Sequence, residues 1–148
     1  NLRLAAAGTV RESVDSIFRV RRKPYVIIMG DLNDGPDDPA VRQGLRAHRY
    51  ENGSALDDRN LVTVMDPIPY GSYKYQGVWD KYDQFVVSAS LLNGLGCTEM
   101  TDADIISHGF LLSDDDAYGG VKPFRTYNGR RYQGGYSDHL PIRMRVSF

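Results

Sequence analysis

A mixed α/β or α+β domain, with a helix laid against strands, is the fold class that the sequence predicts. Three observations lead there. Leu4, Ala7, Val10, Val14, Ile17 and Phe18 recur at helical spacing, with Arg11, Glu12, Asp15 and Ser16 between them. The apolar run Val26-Ile27-Ile28-Met29 follows and halts at Gly30. Leu140, Ile142, Met144, Val146 and Phe148 alternate with Pro141, Arg143, Arg145 and Ser147, the period of a strand with one buried face. With 148 residues the chain can build one domain with a real core. No repeat, low-complexity tract or domain linker interrupts it.

The first pattern predicts a helix over Leu2–Val20. Gly8 weakens it by up to ~1 kcal/mol relative to Ala. Arg19, Arg21, Arg22 and Lys23 suit a helix C-terminus, and Pro24 ends it. The run 26–29 reads as a strand buried on both faces. Its end delivers Asp31 and Asn33 to the rim of a sheet, where ligands of open α/β sheets tend to bind.

Residues 34–39 read as a loop, with Asp38 as N-cap and Pro39 at the first position of a short helix reaching about Ala47. That helix carries Val41 and Leu45 inward and leaves His48 at its frayed end. Residues 50–60 are polar with weak signals. The apolar run 61–65 is too short to assign, and Pro67 and Pro69 break the chain. Residues 72–75 suit an edge strand and residues 84–88 a strand. A turn falls at 93–96 and a short strand at 104–107. Residues 113–120 read as a mobile acidic loop, and 122–127 as strand-like after a proline start.

Composition narrows the function classes. Lys+Arg number 18 and Asp+Glu 19, for a net charge of −1, so the footprint of an undirected nucleic-acid binder is absent overall. Cys97 is the single cysteine, so no disulfide forms within the chain. No apolar run approaches the roughly 20 residues of a membrane span. Ten tyrosines and 15 glycines predict many turns and aromatic strand positions.

The candidate chemistry lies in three segments that each abut a strand. Alone, Asp31 with Asn33, or Asp138 with His139, reads more readily as a turn, and Asp83 as a strand cap or a partner of Lys81. Together they can converge at one end of a sheet. Phosphoester hydrolysis uses such a set: a cation to neutralise phosphate, a base, and donors for the phosphoryl oxygens. Asp31 and Asp138 can supply carboxylates for Mg²⁺, which favours a few carboxylates with waters and substrate oxygens. His139 can supply a base, Asp83 a carboxylate to fix its tautomer, and Asn33 a hydrogen bond to a phosphoryl oxygen or the nucleophilic water.

Gly30-Asp31-Leu32-Asn33, Tyr82-Asp83-Gln84-Phe85-Val86-Val87-Ser88 and Ser137-Asp138-His139-Leu140-Pro141 resemble motifs of the endonuclease/exonuclease/phosphatase superfamily, in the same order. The segments 71–75 and 122–127 resemble a bacterial branch of it. The resemblance implies catalytic roles for Asp31, Asn33, Asp83 and His139, a place for Asp138 in or beside a metal site to which Asp31 can add its carboxylate, and Mg²⁺, Mn²⁺ or Ca²⁺ as cofactor. It also implies a four-layer α/β/β/α sandwich with mixed, mostly antiparallel sheets.

Members of that group carry an earlier half with a metal-binding Asn and Glu and a further His. The expectation is that 1–148 forms the C-terminal portion of one such domain. As partners, the resemblance implies a phosphoester substrate and either the N-terminal half of the domain or a second copy covering the exposed sheet face. This piece alone is then expected to be inactive. The leading expectation is a metal-dependent phosphoesterase acting by water attack at phosphorus. A catalytically silent binding module and a nuclease proper are the alternatives.

Elsewhere, Arg125 reads as a strand-surface charge sooner than a phosphate contact. Tyr73, Trp79 and Tyr82 read as core aromatics sooner than cleft walls. His48 and His108 read as structural. Asp114, Asp115 and Asp116 read as a solvated loop rather than a Ca²⁺ site.

Overall fold

The structure, a computed structural model, describes residues 2–50, 56–65, 68–93 and 99–147. Pro67, Cys97, Phe148, residues 51–55 of the polar stretch and the predicted turn at 94–96 lie outside them. Helix α1 spans Leu2–Val20 as its periodicity predicts. The buried stripe is narrower than the apolar one. Val14 and Phe18 are buried and Ala7 packs beside them, whereas Val10 and Ile17 stay open to solvent.

The main sheet has four strands in the order β1 (Ile27–Asp31), β6 (Asp83–Ser88), β3 (Leu61–Thr63), β2 (Ala47–Arg49). β6 runs antiparallel to both neighbours and β2 runs parallel to β3, so the sheet is mixed. The expectation that the run 26–29 is buried on both faces fails. β1 has only β6 beside it; Ile28 packs on the helix-side core, while Ile27 and Met29 on the opposite face are 43% and 72% exposed. The unassigned run 61–65 proves central, with Leu61, Val62 and Met65 fully buried. Its five residues fit a strand or a helical turn equally, and only the pairing with β6 decides.

The core lies on both faces of this sheet. On the α1 side, Val14, Phe18, Val41, Leu45, Leu61 and Val86 cluster. On the other, Phe85, Val87, Met65, Leu91, Ile105 and Leu140 do, with the antiparallel pair β7 (Glu99–Ile105) and β12 (Ile142–Ser147) packed against them. Each fully buried aliphatic side chain contributes roughly 1.5–3 kcal/mol. The C-terminal alternation holds: Ile142, Met144 and Val146 are half-buried between exposed arginines. Buried polar groups on β6 are matched. The Thr63 hydroxyl donates to Gln84 Oε1 at 3.0 Å, and the Ser88 hydroxyl donates to the Pro24 carbonyl at 2.6 Å while accepting the Val26 N–H at 3.0 Å. Those last bonds clasp one end of the β1–β6 pair.

Four further expectations are corrected. Residues Ala40–Gly44 form a π-helical turn, and its first amide is capped by Asp34 at 3.1 Å, not by Asp38, whose carboxylate turns back to the Gly35 N–H at 2.7 Å. His48 lies within β2, because the chain enters a strand directly after Arg46 adopts φ 55. The segment 113–120 is no loose loop: β8 (Leu112–Asp114) and β9 (Val121–Pro123) form a hairpin. It is pinned by Asp115, which is buried against Lys74 at 2.8 Å. The strand expected at 104–107 ends earlier, at Ile105.

Two short hairpins complete the fold. β4 (Tyr73–Tyr75) pairs with β5 (Val78–Asp80) through Gln76 and Gly77, at φ 48 and 86, the two positive values of a type I′ turn. β10 (Tyr127–Asn128) pairs with β11 (Arg131–Tyr132) just before the segment holding His139. No helix among the described residues is long and apolar enough to cross a membrane.

Candidate active site

The antiparallel register of β1 and β6 sets Asp31 directly opposite Asp83, so one carboxylate from each strand arrives at the same end of the sheet. Beyond Asp31 the chain turns sharply. Asn33 takes φ 50, and Asp31 holds it there: Oδ1 accepts the Asn33 N–H at 2.8 Å and Oδ2 accepts the Asn33 amide at 3.2 Å. Asn tolerates that left-handed conformation better than most residues. The third segment arrives beside β4. Leu140 N–H donates to the Ser72 carbonyl at 2.7 Å, Tyr73 bridges to His139, and the two rings lie 4.7 Å apart.

His139 Nδ1 is 2.7 Å from Asp83 Oδ2. The Ser72 hydroxyl donates to the same oxygen at 2.5 Å. The imidazole and Asp83 are 22% and 15% exposed, enough shelter for the contact to hold orientation. With Nδ1–H donating to the carboxylate, the second nitrogen carries a lone pair on the cleft side. That Nε2 lies 4.0 Å from Asp31 Oδ2. The cleft encloses about 570 Å³ and is walled by Asp31, Asn33, Tyr73, Tyr82, Asp138 and His139, with Tyr75 at its rim. Burial and the neighbouring Asp80 carboxylate, which also accepts a hydrogen bond from its hydroxyl, hold the Tyr82 phenol above its ordinary value.

Asp31, Asn33, Asp138 and His139 therefore share one cleft, and Asp83 stands directly behind the imidazole. Two carboxylates and an amide among the lining residues are ligand types that a hard cation takes together with waters and substrate oxygens. Among the described residues, no group of three or more His, Cys, Asp or Glu side chains closes around a single point.

Tyr73 and Tyr82 wall the cleft, contrary to the expectation of core packing, whereas Trp79 does pack against the second core cluster. Ser72 was not singled out from sequence. Serine at the start of an edge strand carries no signal of what it will face. His48 and His108 both lie exposed, away from the cleft walls, His108 against Phe110.

A carboxylate-held imidazole beside further carboxylates defines a site competent for general acid–base chemistry at the end of a mixed sheet. The chain belongs to the endonuclease/exonuclease/phosphatase family, whose family model matches residues 1–147. Members of that family are generally hydrolases acting on phosphoesters, and generally depend on a divalent metal. No curated protein and no solved structure matches the chain.

Proposed function

We propose that this protein hydrolyses a phosphate ester by attack of water at phosphorus. The observation that carries the reading is the 2.7 Å contact between His139 and Asp83, set beside Asp31 and Asn33 at one sheet end. Asp83 and Ser72 together fix the ring so that Nε2 can accept the proton of the attacking water. The water oxygen bonds to phosphorus, the ester P–O bond breaks on the far side, and the departing alkoxide takes up a proton. Asn33 donates its amide to a phosphoryl oxygen. Asp31 and Asp138 are the residues that would hold a divalent cation, which supplies charge neutralisation for the phosphate when bound.

The test is Mg²⁺-dependent hydrolysis of bis-p-nitrophenyl phosphate and p-nitrophenyl phosphate, by this chain and by the complete gene product. Hydrolysis that disappears in His139→Ala supports the reading. Absence of hydrolysis from both proteins refutes it and leaves a binding module. Cleavage of plasmid DNA with a steep salt dependence would make the protein a nuclease instead.

The layering supports a larger proposal. α1, the four-stranded sheet and the β7–β12 pair stack in that order, and Ile27 and Met29 stand open at the edge strand β1. We read these as part of a four-layer α/β/β/α sandwich, with 1–148 as its C-terminal portion. The open face is then covered by the N-terminal half or by a second copy. A monomeric chain in sedimentation, with cooperative unfolding, would count against that.

A further inference from the structure

A second groove runs beside the cleft that holds His139. It encloses about 470 Å³, and its walls include Tyr75, Asp114, Tyr118, Arg125, Asn128 and Gln133. Tyr75 lies on the wall of both spaces and is 58% exposed, so one leads into the other across its ring. Arg125 stands at the junction. Its guanidinium sits 5.7 Å from the centre of the Tyr73 ring, which in turn lies against His139. The guanidinium's one hydrogen bond among the described residues is to the Lys74 carbonyl, at 3.5 Å.

The charges of the groove show what it can hold. Its walls contain three basic side chains (Lys74, Lys122, Arg125) and three acidic ones (Asp114, Asp115, Asp116). Lys74 is fully engaged: its ammonium donates to Asp115 at 2.8 Å, to the Gly119 carbonyl at 2.8 Å and to the Val121 carbonyl at 3.1 Å. Lys122 also reaches Asp115, at 3.4 Å. Asp115 offsets only one of these two ammoniums, so Lys122 and Arg125, the latter at the end near His139, stand against Asp114 and Asp116, exposed on the hairpin β8–β9, and the groove is neutral overall. A second phosphate in this groove would meet those two carboxylates. A hydrocarbon chain would leave carboxylates, amides and an arginine without partners, which costs more than the contact returns. A ring bearing several hydroxyls suits the walls. Its hydroxyls can pair with Asn128, Gln133 and Asp114, and its C–H face can lie on a tyrosine ring.

We propose that this groove is the subsite for the alcohol portion of the substrate, and that this portion is a neutral polyhydroxylated ring. The substrate class is then a sugar-type phosphoester, its phosphate at His139 and its ring beyond Tyr75. This rests on the phosphoesterase reading above.

The experiment is calorimetric titration of the His139→Ala form of the complete gene product with Mg²⁺ present. The probes are inorganic phosphate, glucose 1-phosphate, glucose 1,6-bisphosphate and the dinucleotide dTpdT. Glucose 1-phosphate is expected to bind at least about tenfold more tightly than inorganic phosphate, the effect of one or two net hydrogen bonds. Adding Asn128→Ala or Gln133→Ala, both at exposed positions, is expected to shrink that margin by about threefold or more. Equal binding of phosphate and sugar phosphate overturns the proposal, as does an unchanged margin in both variants. Tighter binding of the bisphosphate or of dTpdT overturns it as well. Failure of inorganic phosphate, both glucose phosphates and dTpdT alike to bind sinks the phosphoesterase reading too, so the two failures are distinct.

Discussion

Replacing Asp83 by Asn keeps the size of the side chain and removes its charge. In the native site the Asp83 oxygen that faces His139 Nδ1 at 2.7 Å also takes the Ser72 hydroxyl at 2.5 Å. In Asp83→Asn that shared position holds either the amide oxygen, which accepts both bonds without the charge, or the amide NH₂, which then donates to Nδ1 and to the Ser72 oxygen. An imidazole facing a donor must place its own proton on Nε2, the nitrogen needed to receive one. Loss of the charge-assisted hydrogen bond alone is worth about 1.5–3 kcal/mol, or roughly tenfold to a hundredfold in rate. The wrong tautomer adds to this, as in carboxylate–histidine pairs of other hydrolases, where the amide costs up to ~10⁴. The expected fall in kcat is therefore ~10²–10⁴. KM should hardly move, because Asp83 is not among the residues walling the cleft. The assay is steady-state hydrolysis of bis-p-nitrophenyl phosphate with Mg²⁺, with circular dichroism to confirm folding. A fall of less than about fivefold, or a change confined to KM, would refute the assignment of His139 as proton acceptor.

Four other outcomes follow from the geometry. Ser72→Ala removes the second donor to Asp83 and should lower kcat about fivefold to tenfold, with little change in thermal midpoint. Gly71→Ala places a Cβ 2.4–2.7 Å from the Asp80 backbone, so β4 must shift; a loss of about 1–3 kcal/mol in urea unfolding is expected, with impaired hydrolysis. Leu61→Ala empties a fully buried site in the central strand and should cost ~2–5 kcal/mol by the same measurement. The hydrogen bond from Lys74, then that from Lys122, holds the Asp115 carboxyl below its ordinary value of 3.8. A depressed carboxylate stabilises the fold above that value and ceases to as pH falls through the lower, folded-state one. Acid unfolding of Asp115→Asn should thus be less steep below pH 3.8 than that of the native protein; matching profiles would contradict this.

Legibility varied with the range of the interaction concerned. α1 was readable because its stripe, its basic end and Pro24 are all local signals, and its bounds agree with the periodicity. The partial exposure of Val10 and Ile17 was not, since how wide a stripe is covered depends on what packs against it. β1 looked doubly buried because four apolar residues in a row carry no mark of an edge; whether a strand has one neighbour or two is a property of the sheet. The acidic segment 113–120 looked solvated because nothing local announces that Lys74, about forty residues earlier, will bury one of its carboxylates.

The helix, the strand ends that carry Asp31, Asp83 and His139, and the family to which these motifs belong are all encoded in short stretches whose chemistry is local. Folding in three dimensions was needed to set Asp31 opposite Asp83, His139 against Asp83, and Ser72 on the same oxygen. Strand register and the approach of β4 to the histidine segment join residues more than fifty positions apart. Such contacts are settled by the packing of the whole core, which no single stretch specifies.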